Sequence, residues 1–136
     1  MNNDQKLIQV VLDKFYAIIS GRAGEERDWQ AFRELFFYNA ILTNHVFTDD
    51  YKCGTIIHNV ESYINRLRAF LDENDFFEKG LINRIDFFCN IAQVDSFYKA
   101  KRNPVSNEII KAGKNFIQLL HDGTGWKIVS MLWENE

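Results

Sequence analysis

The stretch Phe116-Ile117-Gln118-Leu119-Leu120-His121-Asp122-Gly123-Thr124-Gly125-Trp126-Lys127-Ile128-Val129 decides the fold class. Apolar residues run up to His121 and resume at Trp126, with Asp-Gly between them. Asp and Gly tolerate the left-handed backbone that a tight turn needs, so two extended runs on either side of them form a hairpin. Going upstream, Arg102-Asn103-Pro104-Val105-Ser106-Asn107 and Asn90 mark two further breaks. Strands are therefore expected near 77–89, 91–102, 108–121 and 125–134, and the short connections make sequence neighbours antiparallel.

The alternation within these runs assigns faces. Ala92, Val94, Ser96 and Tyr98 share one face of 91–102, and Gln93, Asp95, Phe97 and Lys99 share the other. The final run is apolar on both: Lys127, Val129, Met131 and Trp133 against Trp126, Ile128, Ser130 and Leu132. A sheet with two apolar faces needs cover on both. The first half of the chain supplies cover for one.

That half is helical in period. Leu7, Val10, Val11, Phe15, Ile18 and Ile19 recur at three- and four-residue spacing from Asp4 to Ser20, and Gly21 ends the run. Asp28 suits the cap of a short second helix bearing Trp29, Phe32, Leu35 and Phe36. Asn39 then turns the chain into a strand over 40–45, and a short strand follows at 55–57. Asn59 caps a third helix carrying Val60, Tyr63, Ile64, Leu67, Phe70 and Leu71. The fold class is α+β: three N-terminal helices packed into a strongly curved, mostly antiparallel sheet. The other sheet face then calls for a second copy of the chain, an expected homodimer.

The chain has 136 residues, which suits one domain over 1–136. Its formal net charge is −3 and its pI is near 5.6, with no Lys/Arg stripe. Nucleic acid is not an expected partner. No apolar run is long enough to enter a membrane and no leader pattern is visible, so the expectation is cytoplasmic. Cys53 and Cys89 are read as reduced thiols, Cys89 buried in a strand. No metal-ligand spacing, phosphate loop or nucleophile elbow occurs, so neither metal nor cofactor is expected. The 12 Phe, 5 Tyr and 3 Trp are abundant for this length, which suits a thick core, an apolar-lined pocket or both.

Several stretches, in this order, resemble the nuclear transport factor 2-like superfamily, which includes SnoaL-like cyclases, ketosteroid isomerases and scytalone dehydratase. They are Arg27-Asp28-Trp29 with Phe32, Leu35-Phe36 and Ala40; then Ile91 to Tyr98; then Phe116-Ile117-Gln118-Leu119 leading to Gly125 through Trp133. The resemblance covers nearly the whole chain. It implies a cone in which the bent sheet wraps the helices around a cavity, and a dimer through the outer sheet face. It does not fix function, because the superfamily hosts enzymes and binding modules alike.

The isomerase pattern can be checked position by position. Alignment places Phe15 where those enzymes use a tyrosine, Asn44 where they use a base aspartate, and Gln118 or a neighbour where they use a protonated aspartate. Phenylalanine donates no hydrogen bond and an amide is no base. This disfavours that chemistry unless Tyr16 and another carboxylate substitute. Among His45, His58 and His121, His45 is the candidate base, since it follows the first strand near the expected cavity mouth. Asp49 and Asp50 are near it in sequence. Arg84 and Asp86, two apart on a strand, fit either a hydrolase site or a surface ion pair.

Strand parity and resemblance together place Asn44, Ser96, Tyr98 and Gln118 near the cavity, and Phe15 and Trp133 are expected to line it with them. Neutral polar groups among aromatic walls suit a small apolar or aromatic ligand. Whether the protein catalyses is left open. Binding leads, a cofactor-free SnoaL-like lyase, isomerase or hydrolase is the alternative, and a dimeric interaction module with a filled cone is the third reading.

Overall fold

The computed structural model describes residues 3–50 and 53–136. Its elements run α1 (Asn3–Ile19), α2 (Trp29–Glu34), β1 (Phe36–Asn44), β2 (Ile56–His58), α3 (Val60–Leu71), β3 (Phe77–Phe88), β4 (Ile91–Lys101), β5 (Lys111–His121) and β6 (Trp126–Asn135). The strands form one unclosed sheet in the order β2-β1-β6-β5-β4-β3. Only β1 and β6 run parallel; the other pairs are antiparallel. No described helix is long and apolar enough to cross a membrane.

The helix starts follow the expected capping chemistry. The Asp28 carboxylate accepts from the Ala31 N–H at 3.0 Å. At α3, Asn59 Oδ1 accepts from Ser62 N–H while Ser62 Oγ accepts from Asn59 N–H, a reciprocal capping box. The last hairpin closes on Asp122, which accepts from the Thr124 and Gly125 N–H groups. Those bonds favour the ionised carboxylate and hold its pKa down to about 2, the Thr124 side chain contributing most.

Four details differ from the sequence expectation, each for a physical reason. Helix α1 is rotated: Ile8, Leu12, Phe15, Tyr16 and Ile19 are buried, while Leu7 and Val10 face water. So many of its positions are apolar that period alone does not choose the inward stripe, and Tyr16 falls inside it. Strand β1 begins at Phe36 rather than Ala40, and Asn39 sits within it at φ 59°. The register of β1 against β6 shifts there, between Phe36 and Ile41. In β6 the register against β5 jumps from Ile128 to Ser130. Val129 is the extra residue of a bulge, so inward parity passes from Trp126 and Ile128 to Met131 and Trp133. Much of the two-faced apolarity of this strand is one inner face read across a bulge. Finally, Cys89 is exposed at φ 50° in the turn between β3 and β4, not buried in a strand.

The core lies between the helices and the inner sheet face. A column of rings crosses it: Phe15 to Phe32 at 5.3 Å, Phe32 to Tyr63 at 6.2 Å, and Tyr63 to Trp133 at 5.4 Å between centroids. Phe32 is fully buried and also meets Phe36 at 5.1 Å. These rings fill this part of the cone.

Candidate functional site

Two polar clusters face the interior, and they differ in how well they are satisfied. The first is centred on Tyr16, which α1 carries across the inner face of β3, β4 and β5. Asn115 Nδ2 donates to the Tyr16 hydroxyl at 2.9 Å, and that hydroxyl shares a second bond with Ser96 Oγ at 3.2 Å. The register puts Ser96 opposite Asn115 and beside Ile82. Glycine makes the crossing possible, since a Cβ at Gly80 would overlap the Tyr16 ring. Burial pushes the Tyr16 hydroxyl up, with the bonds from Ser96 and Asn115 pulling the other way. Tyr98 sits likewise over Gly113 and donates to Asn135 Oδ1 at 2.6 Å. Ser96 and Asn115 are buried, and both are occupied by Tyr16.

The second cluster is centred on Glu78. Its backbone is tied to the end of α1: Glu78 N–H donates to Ser20 Oγ at 2.9 Å, and Gly21 and Phe76 exchange backbone bonds at 2.7 and 2.9 Å. The pairing of Glu78 with Ala100 turns its side chain inward. Only 7% of Glu78 is exposed, yet among the described residues none hydrogen-bonds its carboxylate. Burial holds its pKa above the usual carboxylate range, and the Lys111 ammonium opposes this only in part. Burial first, and then its charge, pushes up Tyr63 and Tyr98; on Tyr16 the charge adds a smaller push in the same direction. Tyr63 is buried as well, and no described residue hydrogen-bonds its hydroxyl. A cleft of about 670 Å³, lined by Asp13, Tyr16, Ser20, Glu78 and Gly80 among others, opens onto this end of the cone.

The expected site residues distribute unevenly. Phe15 is buried in the aromatic column rather than lining open space. Ser96 and Tyr98 point inward as their parity requires, and both are bonded within the protein. Trp133 packs on Tyr63. Asn44 pairs with Trp133 in register, and its Oδ1 is enclosed without a partner. Gln118 is a correction: it is on the outer face, bonded to Gln93 and Ser130. Its inward neighbours are Ile117 and Leu119, and Asn115 is the polar residue that β5 turns inward. His45 is partly exposed at the end of β1 and lines an outer-face groove with Phe97, Phe116 and Leu132. Arg84 and Asp86 form an exposed pair at 3.0 Å. His58 bonds Ser62 Oγ, and burial holds its pKa below the ordinary imidazole value.

Glu78 was missed. It opens a strand in Phe77-Glu78-Lys79-Gly80, where Gly80 and a register shift between Ile82 and Arg84 blur the parity. The one available signal was its place two residues before Gly80 and four before Ile82, on the inward side. No group of three or more His, Cys, Asp or Glu among the described residues has the arrangement of a metal site.

No protein-family model and no curated protein matches this sequence. Solved structures do. A nuclear transport factor 2-like protein of unknown function from Shewanella baltica OS155 is 20% identical, with TM-score 0.65 over 100% of this chain and 98% of that one. A protein of unknown function with a cystatin-like fold from Nostoc punctiforme PCC 73102 reaches TM-score 0.76 at 13% identity, over 100% and 93%. A ketosteroid isomerase-like protein from Erwinia carotovora atroseptica SCRI1043 is 11% identical, with TM-score 0.65 over 99% and 98%. The chain has the nuclear transport factor 2-like cone fold; at these identities the likeness is one of fold.

Proposed function

We propose that this protein binds a small, mostly apolar or aromatic molecule carrying one hydrogen-bond donor, seated over Glu78 in the cleft between α1 and β3. One observation carries the reading: Glu78 is a buried carboxylate with no hydrogen bond from any described residue. A carboxylate largely withdrawn from water, and lining a cleft, gains from a donor that the surrounding residues do not supply. A ligand hydroxyl, amine or amide N–H offers what Glu78 lacks. Tyr16, Phe77, Leu81 and Phe97 give the same cleft apolar and aromatic wall, and Lys79, Lys99 and Lys101 line it as well.

Matched pairs of small aromatic compounds, with and without a single donor group, would test this by thermal shift. Donor-bearing members should raise the melting temperature of the wild type, and Glu78→Gln should lose much of that shift. Equal shifts from both members of each pair, or shifts unchanged in Glu78→Gln, would overturn it.

The raised pKa of Glu78 beside Tyr16 favours a second reading, cofactor-free proton transfer on the bound molecule. It predicts turnover that vanishes in Glu78→Gln. Pairing through the outer sheet face is a separate proposal, supported by exposed Ile41, Phe97, Phe116 and Leu132 on that face. Phe116 and Leu132 are cross-strand partners. Light scattering should give a dimer that Phe116→Glu converts to monomer; a monomeric wild type at working concentration would contradict it.

A further inference from the structure

At the opposite side of the sheet from Glu78, four side chains form a chain of contacts that ligand binding does not use. Strand β1 ends at Asn44, and His45 is fixed next by its backbone N–H on the Trp133 carbonyl at 2.8 Å. Further along, Gly54 N–H donates to the Val46 carbonyl at 2.7 Å, and Phe47 bridges to Cys53. This returns Cys53 and Thr55 to the histidine. Thr55 Oγ1 is 2.8 Å from His45 Nδ1 and also bonds Cys53 Sγ. The sulfur lies 3.9 Å from the same Nδ1. On the far side of the ring, His45 Nε2 is 3.9 Å from Glu134 Oε1.

We propose that Cys53 is a nucleophilic thiol that forms mixed disulfides with low-molecular-weight disulfides, its proton passing through Thr55 to His45. With the imidazole proton on Nε2, Thr55 donates to Nδ1 and accepts from the thiol. As Thr55 takes the thiol proton it gives its own to His45, and the Glu134 carboxylate stabilises the resulting imidazolium. The thiolate attacks one sulfur of the reagent R–S–S–R. A Cys53–S–S–R bond forms, the reagent S–S bond breaks, and the leaving R–S⁻ takes the proton from the imidazolium. Nothing is oxidised or reduced beyond this exchange.

Two further observations agree. The Thr55 side chain, and then its backbone, hold the Cys53 thiol below its ordinary value. Cys53 is exposed, so a reagent can reach it. Cys89 is exposed too, which makes it the internal control in the same chain.

The reduced protein is incubated with oxidised glutathione at neutral pH, quenched in acid and digested, and adducts on each cysteine are timed by mass spectrometry. Cys53 should react on the order of tenfold faster than Cys89, as expected for an activated against an ordinary thiol. His45→Asn and Thr55→Val should bring Cys53 down to the Cys89 rate, whereas Thr55→Ser, which keeps the hydroxyl, should retain the fast rate. Circular dichroism checks that the variants fold. Equal rates in the wild type would overturn the proposal. So would a Cys53 rate unchanged in His45→Asn and Thr55→Val, or a Thr55→Ser variant as slow as Thr55→Val.

Discussion

The aromatic column and the Glu78 end of the cone are parts of one interior built to different rules. Around Phe15, Phe32, Tyr63 and Trp133 the rings are in mutual contact, and the nearby Tyr16–Ser96–Asn115 triad bonds within itself. A few positions along the sheet, Glu78 is as well buried as those side chains but bonded to none of the described residues. The first region is organised for stability. The second holds a carboxylate at the mouth of a cleft with little solvent and no bond from the described residues, which is the pattern of a site that gives up stability for binding.

The contrast can be broken at several points. Phe32→Ala, at the centre of the column, should cost about 3–5 kcal/mol, as large-to-small aromatic changes in cores do. Denaturant unfolding checks it, and a loss under about 1 kcal/mol would mean that the column is not the packed centre. Tyr16→Phe keeps the ring and removes the hydroxyl, leaving buried Ser96 and Asn115 without it. A loss of about 1–3 kcal/mol is expected. If unfolding shows no loss, the triad is not the satisfied network described.

Glu78→Gln should move the other way. Burial raises the folded pKa of Glu78 above its unfolded value of about 4.3. The folded state therefore binds that proton more tightly, and Glu78 opposes folding increasingly as pH rises through the folded value. The glutamine variant should be more stable than wild type at neutral pH, since an amide carries no charge to desolvate. That gain should shrink as pH falls toward about 4. Melting curves across this range test the sign, and a destabilised variant at neutral pH would show that Glu78 is paired. The smallest effect is expected at the exposed Arg84–Asp86 pair, where Arg84→Ala should change stability by less than about 1 kcal/mol. A larger loss in the same unfolding assay would give that pair a structural role.

How far the sequence revealed all this depended on the kind of signal. Capping at Asp28 and Asn59 and the Asp122-Gly123 turn depend on nearby residues, so local chemistry located them. Facing was harder. Phe116-Ile117 and Leu119-Leu120 are apolar in pairs, so alternation alone did not show that Gln118 points out; a slip of one residue reverses every side chain. Pairing Ile117 with Val94, as the register has it, would have settled the face. The bulge at Val129 is a cross-strand event that one strand does not announce. Glu78 was hidden for a similar reason. A glutamate in a mixed strand reads as surface, and its burial follows from α1 docking through Ser20 and from pairing with Ala100, contacts 58 and 22 residues away.

The account turns on the state of one carboxyl group. The ligand-free protein, labelled with ¹³C at glutamate side-chain carboxyls and assigned with Glu78→Gln, should be titrated by NMR. The account predicts that Glu78 titrates above the ordinary glutamate value of about 4.3. A Glu78 resonance titrating at or below that value would mean that the carboxylate is solvated or already paired, and would contradict the claim that it is held ready for a ligand.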